Sequence, residues 1–331
     1  MARIVVVFTG GTISMRATSD TRGNEPALDG RKLLRTIPGI DQLADVELID
    51  WGLVPGSHLG FEDVLSIGRL VHENLTRPEV DGVVIVQGTD TIEETAFAWD
   101  LLPMPQKPVV VAGAMRSASQ DGYDGPDNLR NAITVAADRM LADQGVVVAM
   151  AGEIHGADAV RKTHTHAYET FKSPGAGPLG SVADGRVHLS RKRRPFHLPS
   201  APERGARVLG ITAVLGWDPA AMEIARSQAL EAVVVEAMGG GNTHPHVLDL
   251  AAALMSKGVP VVLTTRCPSG QVRPGYGFPG GSTRWWEAGA IFSGDLGGLK
   301  SRVALALAIG ARLDRPALGE LFSQFGGGAK A

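Results

Sequence analysis

Residues 84–96 read VIVQGTDTIEETA: an apolar run ends on Gln87-Gly88, three small oxygen-bearing residues follow, and a helical pattern begins. A continuous apolar run feeding a helix across a glycine corner is the repeating unit of a parallel sheet covered by helices. Thr91-Ile92-Glu93-Glu94 matches the S/T-x-x-E capping box, so Thr91 is expected to cap the helix. Thr89 and Asp90 are not consumed by that cap. The first-turn amides behind them form a positive terminus suited to a carboxylate or a developing oxyanion.

The same pattern recurs on both sides of this corner. Continuous β-branched runs occupy Ile4–Phe8, Val83–Val86, Val109–Ala112 and Val146–Met150, with helical stretches expected at about 29–37, 61–76, 92–102 and 126–142. Runs that do not alternate belong to strands buried on both faces. The stretch SRKRRPFHLPSAPERGAR, residues 190–207, carries three prolines and seven basic residues counting His197, and has no apolar period. It reads as a solvated linker. Beyond it the alternation resumes with Val208–Leu215, a helix near 219–228, Ala232–Val235, a helix near 245–257 and Val259–Leu263. The expected fold is therefore α/β, with a larger N-terminal, doubly wound, mainly parallel sheet over 1–190. A linker at 191–207 and a smaller α/β domain at 208–331 complete it.

Composition removes several function classes. The 331 residues carry a net charge of -3, and their one local basic run, Arg191–Arg194, does not make the clustered surface that nucleic acid requires. The single Cys267 forbids an intrachain disulfide. No segment approaches the roughly 18–20 apolar residues of a membrane span. MARIVVVFTGG at the start is better explained as a first strand than as a signal peptide. A cytoplasmic protein is expected, with no nucleic-acid or membrane partner.

Ligands of open parallel sheets collect beyond the carboxyl ends of the strands. Two such ends, TGGT at Thr9–Thr12 and QGTDT at Gln87–Thr91, offer Thr12 and Thr89 as nucleophiles beside glycines that let a ligand approach. A threonine hydroxyl needs a base, and Lys162, in AVRKTHTH, is the best candidate if a carboxylate holds it.

These residues carry a resemblance. TGGTI at Thr9–Ile13, QGTDTIEETAF at Gln87–Phe97, the spacing to Lys162, and VVLTTRCPSG at Val261–Gly270 resemble the bacterial-type L-asparaginase and glutaminase family. The resemblance implies hydrolysis of a side-chain amide through a covalent acyl-enzyme, without a cofactor or metal, on a small-molecule amide. Thr12 looks like the first nucleophile, and Thr89, Asp90 and Lys162 like a cooperating set. Asp90 would also bind the substrate amino group and Ser57 its carboxylate. Asn242 would be contributed by a neighbouring subunit of a homodimer or homotetramer.

Three departures stand out. The segment SMRATSDTRGNEPALDG after TGGTI has no tyrosine where family members commonly hold one, and its Glu25 is the available loop base. His58 replaces the usual polar partner of the binding serine, and Ser282 and Thr283 stand where an acidic residue is often supplied. Two rival readings accompany asparagine hydrolysis. One is a non-catalytic amino-acid sensor; the other is a metal-dependent amidohydrolase using His164-x-His166 and His244-x-His246. A zinc site needs three or four converging ligands, which these pairs do not supply. Cys267 lacks any thiol-enzyme signature and is expected to be structural.

Overall fold

The computed structural model describes residues 1–17, 24–26, 28–217, 220, 223 and 229–329. The chain divides into two compact units, Met1–His197 and Leu198–Ala331.

The first unit is organised by β1 (Arg3–Phe8), β4 (Asp45–Asp50), β5 (Gly82–Val86), β6 (Val109–Ala112), β7 (Val146–Met150), β8 (Glu153–Gly156), β11 (Gly180–Ala183) and β12 (Arg186–Leu189). Two small hairpins lie outside that sheet: β2 (Met15–Ala17) with β3 (Asn24–Pro26), and β9 (Arg161–Lys162) with β10 (Phe171–Lys172). The eight strands run in the order β12-β11-β8-β7-β6-β5-β1-β4. From β4 to β7 all pairings are parallel, while β8, β11 and β12 extend the sheet antiparallel. Taken in chain order, the five parallel strands are arranged 2-1-3-4-5, so the topological switch point falls between β1 and β5.

Burial on both faces explains the continuous apolar runs. Ile4, Val6 and Phe8 join one cluster with Leu33, Leu129 and Ile133. Val5 and Val7, equally buried, point the other way by the pleat, toward the face on which helices Phe61–Thr76 and Ile92–Asp100 pack. The connections β1 to β4, β4 to β5 and β5 to β6 therefore share one hand. Helix Gly125–Ala136, which joins β6 to β7, packs on the opposite face from Ile92–Asp100 although the strands advance in the same direction. That crossover has the opposite, left hand, against a right-handed rule that holds in about 98% of cases.

The second unit is a parallel sheet of β13 (Val208–Thr212), β14 (Ala232–Ala237), β15 (Val261–Thr265) and β16 (Ile291–Phe292), in that order. Helices Pro245–Met255, Ser282–Glu287, Gly298–Gly310 and Arg315–Ser323 accompany it. Its core includes Val233, Val235, Leu263 and the fully buried Trp285. The helix expected near 219–228 lies almost wholly outside the described residues.

Several expectations are corrected. The edge strand β4, DVELID, escapes a search for continuous runs because among the described strands β1 alone pairs with it and its acidic residues face solvent in part. The strands β8, β11 and β12 are short and were not anticipated. The helix expected at 29–37 is the single stretch Gly30–Leu34, and that at 126–142 stops at Ala136 before a 3-10 turn at Arg139–Leu141. The basic run Arg191–Arg194 is not uniformly solvated. Arg193 is only 5% exposed and its guanidinium pairs with Asp100 and Asp158.

Candidate active site

The two glycine corners flank the switch point because β1 and β5 are neighbours. Thr9 sends both its backbone N–H and its hydroxyl to the Val86 carbonyl, at 2.9 and 3.0 Å, knitting the strand ends together. Beyond them Gly11, with φ +97, lies so close to Gly88 that an added Cβ would sit 2.2 Å from the Gly88 nitrogen. A third loop joins from behind. An added Cβ on Gly56 would meet the Gly88 carbonyl oxygen at 3.0 Å, and Val54 donates to the Thr9 carbonyl at 2.8 Å. Three corners thus share one backbone contact. It gathers the 3-10 turns Thr12–Ser14, Gly56–His58 and Thr89–Thr91 at one end of the sheet. Thr12 is half-buried, Thr89 buried, and Ser57, His58 and Asp90 exposed.

The capping-box reading of Thr91 is wrong. Its side chain makes no cap hydrogen bond and instead donates to the Gly56 carbonyl at 3.1 Å, fastening the third loop to this corner. The Thr95 hydroxyl donates to the Gln87 side-chain carbonyl at 3.0 Å, holding the approach to the same turn.

Lys162 arrives from the β9–β10 hairpin, more than seventy residues away in sequence. Its Nζ donates to Thr89 Oγ1 at 2.9 Å and to Asp90 Oδ1 at 2.7 Å. Its backbone N–H donates to Glu93 Oε2 at 2.6 Å. The lysine side chain is 18% exposed and its Asp90 partner 68%, so the ion pair has a dry end at Thr89 and a wet end open to an incoming ligand. A hydroxyl, an amine and a carboxylate in one hydrogen-bonded row are the parts needed to move a proton from a nucleophile.

The left-handed crossover supplies the remaining wall. The loop after β6 reaches the Thr12 turn, where Tyr123 Oη donates to the Ile13 carbonyl at 2.6 Å and Ala118 N–H to the Met15 carbonyl at 3.1 Å. Asp124 steadies that loop by accepting from the backbone N–H groups of Met115 and Arg116 and from Asn128 Nδ2. Tyr123 and Glu93 were not singled out in the sequence. An Asp-Gly-Pro helix start at Asp124–Pro126 was the available signal for the first, and none existed for the second.

Two family descriptions match this chain in succession: Asparaginase, N-terminal, over residues 3–195, and Glutaminase/Asparaginase C-terminal domain over 207–322. The chain belongs to the asparaginase/glutaminase family. A probable L-asparaginase of Deinococcus radiodurans is 34% identical over 98% of both chains. A probable periplasmic L-asparaginase of Haemophilus influenzae is 31% identical, over 98% of this chain and 93% of its own. Among solved structures, a probable cytoplasmic L-asparaginase from Campylobacter jejuni superposes with a TM-score of 0.86 at 31% identity, over 98% of this chain and 99% of that one. Membership makes this an amidohydrolase of the asparaginase/glutaminase type.

The remaining expected residues are distributed as follows. In this family member Asn242 lies in the second unit, where it exchanges backbone hydrogen bonds with Met238 and its buried side-chain Oδ1 has no partner among the described residues. Ser282 and Thr283 open helix Ser282–Glu287. The backbone of Glu25 lies in β3, and its side chain falls outside what is described. Cys267 is a half-buried free thiol.

His164 and His166 lie beyond β9, which ends at Lys162. His164 Nδ1 accepts the N–H groups of His166 and Ala167, each at 3.0 Å, and His244 Nδ1 accepts from His246 N–H at 3.3 Å. Both pairs are the same device, a histidine ring closing a turn on the backbone two residues on. Among the described residues no group of three His, Cys, Asp or Glu is placed to hold a metal.

One buried titratable group stands behind the hairpin that carries Lys162. His155 is fully buried, its Nδ1 lies 3.0 Å from Ser173 Oγ, and its Nε2 lies 3.2 Å from Glu153 Oε2. Lys172 Nζ donates to that same carboxylate oxygen at 3.0 Å. Burial pushes the imidazole below its ordinary range; Glu153 opposes this, while Lys172 and Arg191 add to it. A depressed folded-state value means that the unfolded chain binds the extra proton first. Stability from this residue is thus present above about pH 6.5 and is lost as pH falls from there toward the folded value. Replacing His155 by Gln is expected to flatten the decline in Tm between about pH 7 and 5. An unchanged decline in thermal melts would sink this assignment.

Proposed function

We propose that this protein hydrolyses the side-chain amide of L-asparagine to L-aspartate and ammonia, with L-glutamine or a related small amide as a secondary substrate. The observation that carries the reading is the Lys162 amine bridging the buried Thr89 hydroxyl and the exposed Asp90 carboxylate, at 2.9 and 2.7 Å. In this mechanism a threonine hydroxyl, Thr12 first and Thr89 cooperating, adds to the amide carbon as its proton passes to a base. The C–N bond then breaks, the nitrogen leaves with that proton as ammonia, and a threonyl ester remains. Water attacks the ester, its proton returns to the threonine, and aspartate departs.

The α-ammonium group of the substrate would bind the exposed side of Asp90, beside the Lys162 amine. Ser57 and His58, beside the same glycine junction, would receive the α-carboxylate. Asn242 of a neighbouring subunit in a homodimer or homotetramer would complete the site. No described helix is long and apolar enough to cross a membrane.

Purified protein is expected to release ammonia from asparagine without added metal and to keep that activity in EDTA. No ammonia from asparagine, glutamine or a panel of small amides would remove the enzymatic reading in favour of an amino-acid sensor. Loss of release in EDTA alone would favour the metal-dependent one.

A further inference from the structure

We infer that Glu93 is a positioning residue that fixes Lys162 over Thr89 by clasping the lysine's own backbone N–H; the inference rests on Lys162 serving the reaction proposed above. Strand β9 is two residues long and pairs with β10 outside the eight-stranded sheet, so no continuous ladder holds it. Yet its lysine must reach a buried hydroxyl. The Glu93 carboxylate accepts the Lys162 N–H at 2.6 Å, and Glu93 stands in the first turn of the helix that directly follows Thr89 and Asp90. Lys162 is therefore tied to this one turn at both ends, by its backbone to Glu93 and by its Nζ to Thr89 and Asp90. The four-carbon stem spans two fixed points, which limits how far the amine can stray. Misplacement by about 1 Å in a reacting group can cost on the order of 100-fold in rate.

Charge and position are separable for this residue, because an acceptor oxygen, charged or neutral, can hold the Lys162 N–H. Glu93→Gln keeps an acceptor and is expected to hold kcat within about threefold of wild type. Glu93→Met keeps the stem and loses the acceptor, and is expected to lower kcat by roughly 10- to 100-fold with KM within about threefold. A second readout does not depend on turnover. Labelling of Lys162 by an amine-reactive reagent, read by peptide mass spectrometry, is expected to quicken in Glu93→Met and not in Glu93→Gln.

Changed labelling in Glu93→Met with a wild-type protein that turns over no amide would retire the proposed reaction and leave the clasp standing. Wild-type kcat and unchanged labelling in Glu93→Met would overturn the clasp. So would equal losses in the Gln and Met variants, which would make the charge the active feature. Should Glu93→Met fail to fold, hydrogen exchange at the Lys162 amide of the wild-type protein decides: marked protection supports the clasp and none refutes it.

Discussion

Lys162→Met, Thr89→Ala and Thr12→Ala each lower kcat by at least about 100-fold, the lower range of general acid–base catalysis, while the folded fraction and Tm stay near wild type. The expectation follows from where the groups sit. Lys162 projects from a two-residue hairpin strand, and Thr89 and Thr12 from single 3-10 turns, so none is a packing element of the sheet. Removing the lysine leaves the Thr89 hydroxyl without the amine now 2.9 Å away, and no other described amine is bonded to it. Removing the hydroxyl leaves the amine with Asp90 alone. The double variant Thr89→Ala with Lys162→Met should be hardly worse than either single one, because members of a unit lose their effect together. Stopped ammonia-release assays with matched thermal melts test this. Normal kcat in both Thr89→Ala and Lys162→Met would reduce the GTDT corner to a fold feature.

A comparably large effect, on stability rather than rate, is expected at Arg193. Its side chain is 5% exposed and that of Asp100 3%. Nη1 donates to Asp100 Oδ2 at 2.9 Å, Nη2 donates to Asp100 Oδ1, and Nε donates to the Gln144 carbonyl at 2.6 Å. Burial disfavours the guanidinium charge, but Asp100 and Asp158 outweigh it and hold the arginine above its ordinary range. Arg193→Met strands Asp100 in a dry setting, and breaking such a pair from one side costs roughly 3–5 kcal/mol. For a unit of this size each kcal/mol shifts Tm by about 2–4 °C, so a fall on the order of 10 °C is expected. Adding Asp100→Leu removes the stranded charge and should restore much of the loss. A Tm within about 2 °C of wild type for Arg193→Met would mean the ion pair is not closed in solution.

What the sequence disclosed and what it hid divide along the range of the interactions. Ile4–Phe8 and Val83–Val86 announced central parallel strands because helices bury both faces, and that burial is written in consecutive residues. Their glycine corners were legible for the same reason, as was the pairing of Lys162 with Thr89 and Asp90 once the family resemblance supplied it. Thr91 misled because its hydroxyl makes no cap hydrogen bond and donates to the Gly56 carbonyl, thirty-five residues away in sequence. Arg193 misled because its partner Asp100 lies ninety-three residues upstream, so composition alone assigned it to solvent. The histidine pairs suggested a ligand set although each first ring is spent on its own turn. The left-handed crossover left no mark in the pattern, since helix periodicity does not record which face of a sheet a helix will cover.

The placement of Lys162 on a hairpin outside the main sheet has a consequence for how activity is distributed in time. The glycine corners grow from β1 and β5, whose ladders open only when much of the unit opens with them. The β9–β10 hairpin has a ladder of only two residue pairs, extended by the Thr163 N–H to the Thr170 carbonyl and anchored by the buried Phe171, so it depends on its own contacts rather than on the sheet. On the mechanism proposed above, a molecule whose hairpin detached would keep the Thr12 and Thr89 corners and lose the Lys162 amine. On that mechanism the observed kcat would be the intrinsic rate multiplied by the fraction of molecules whose hairpin is docked.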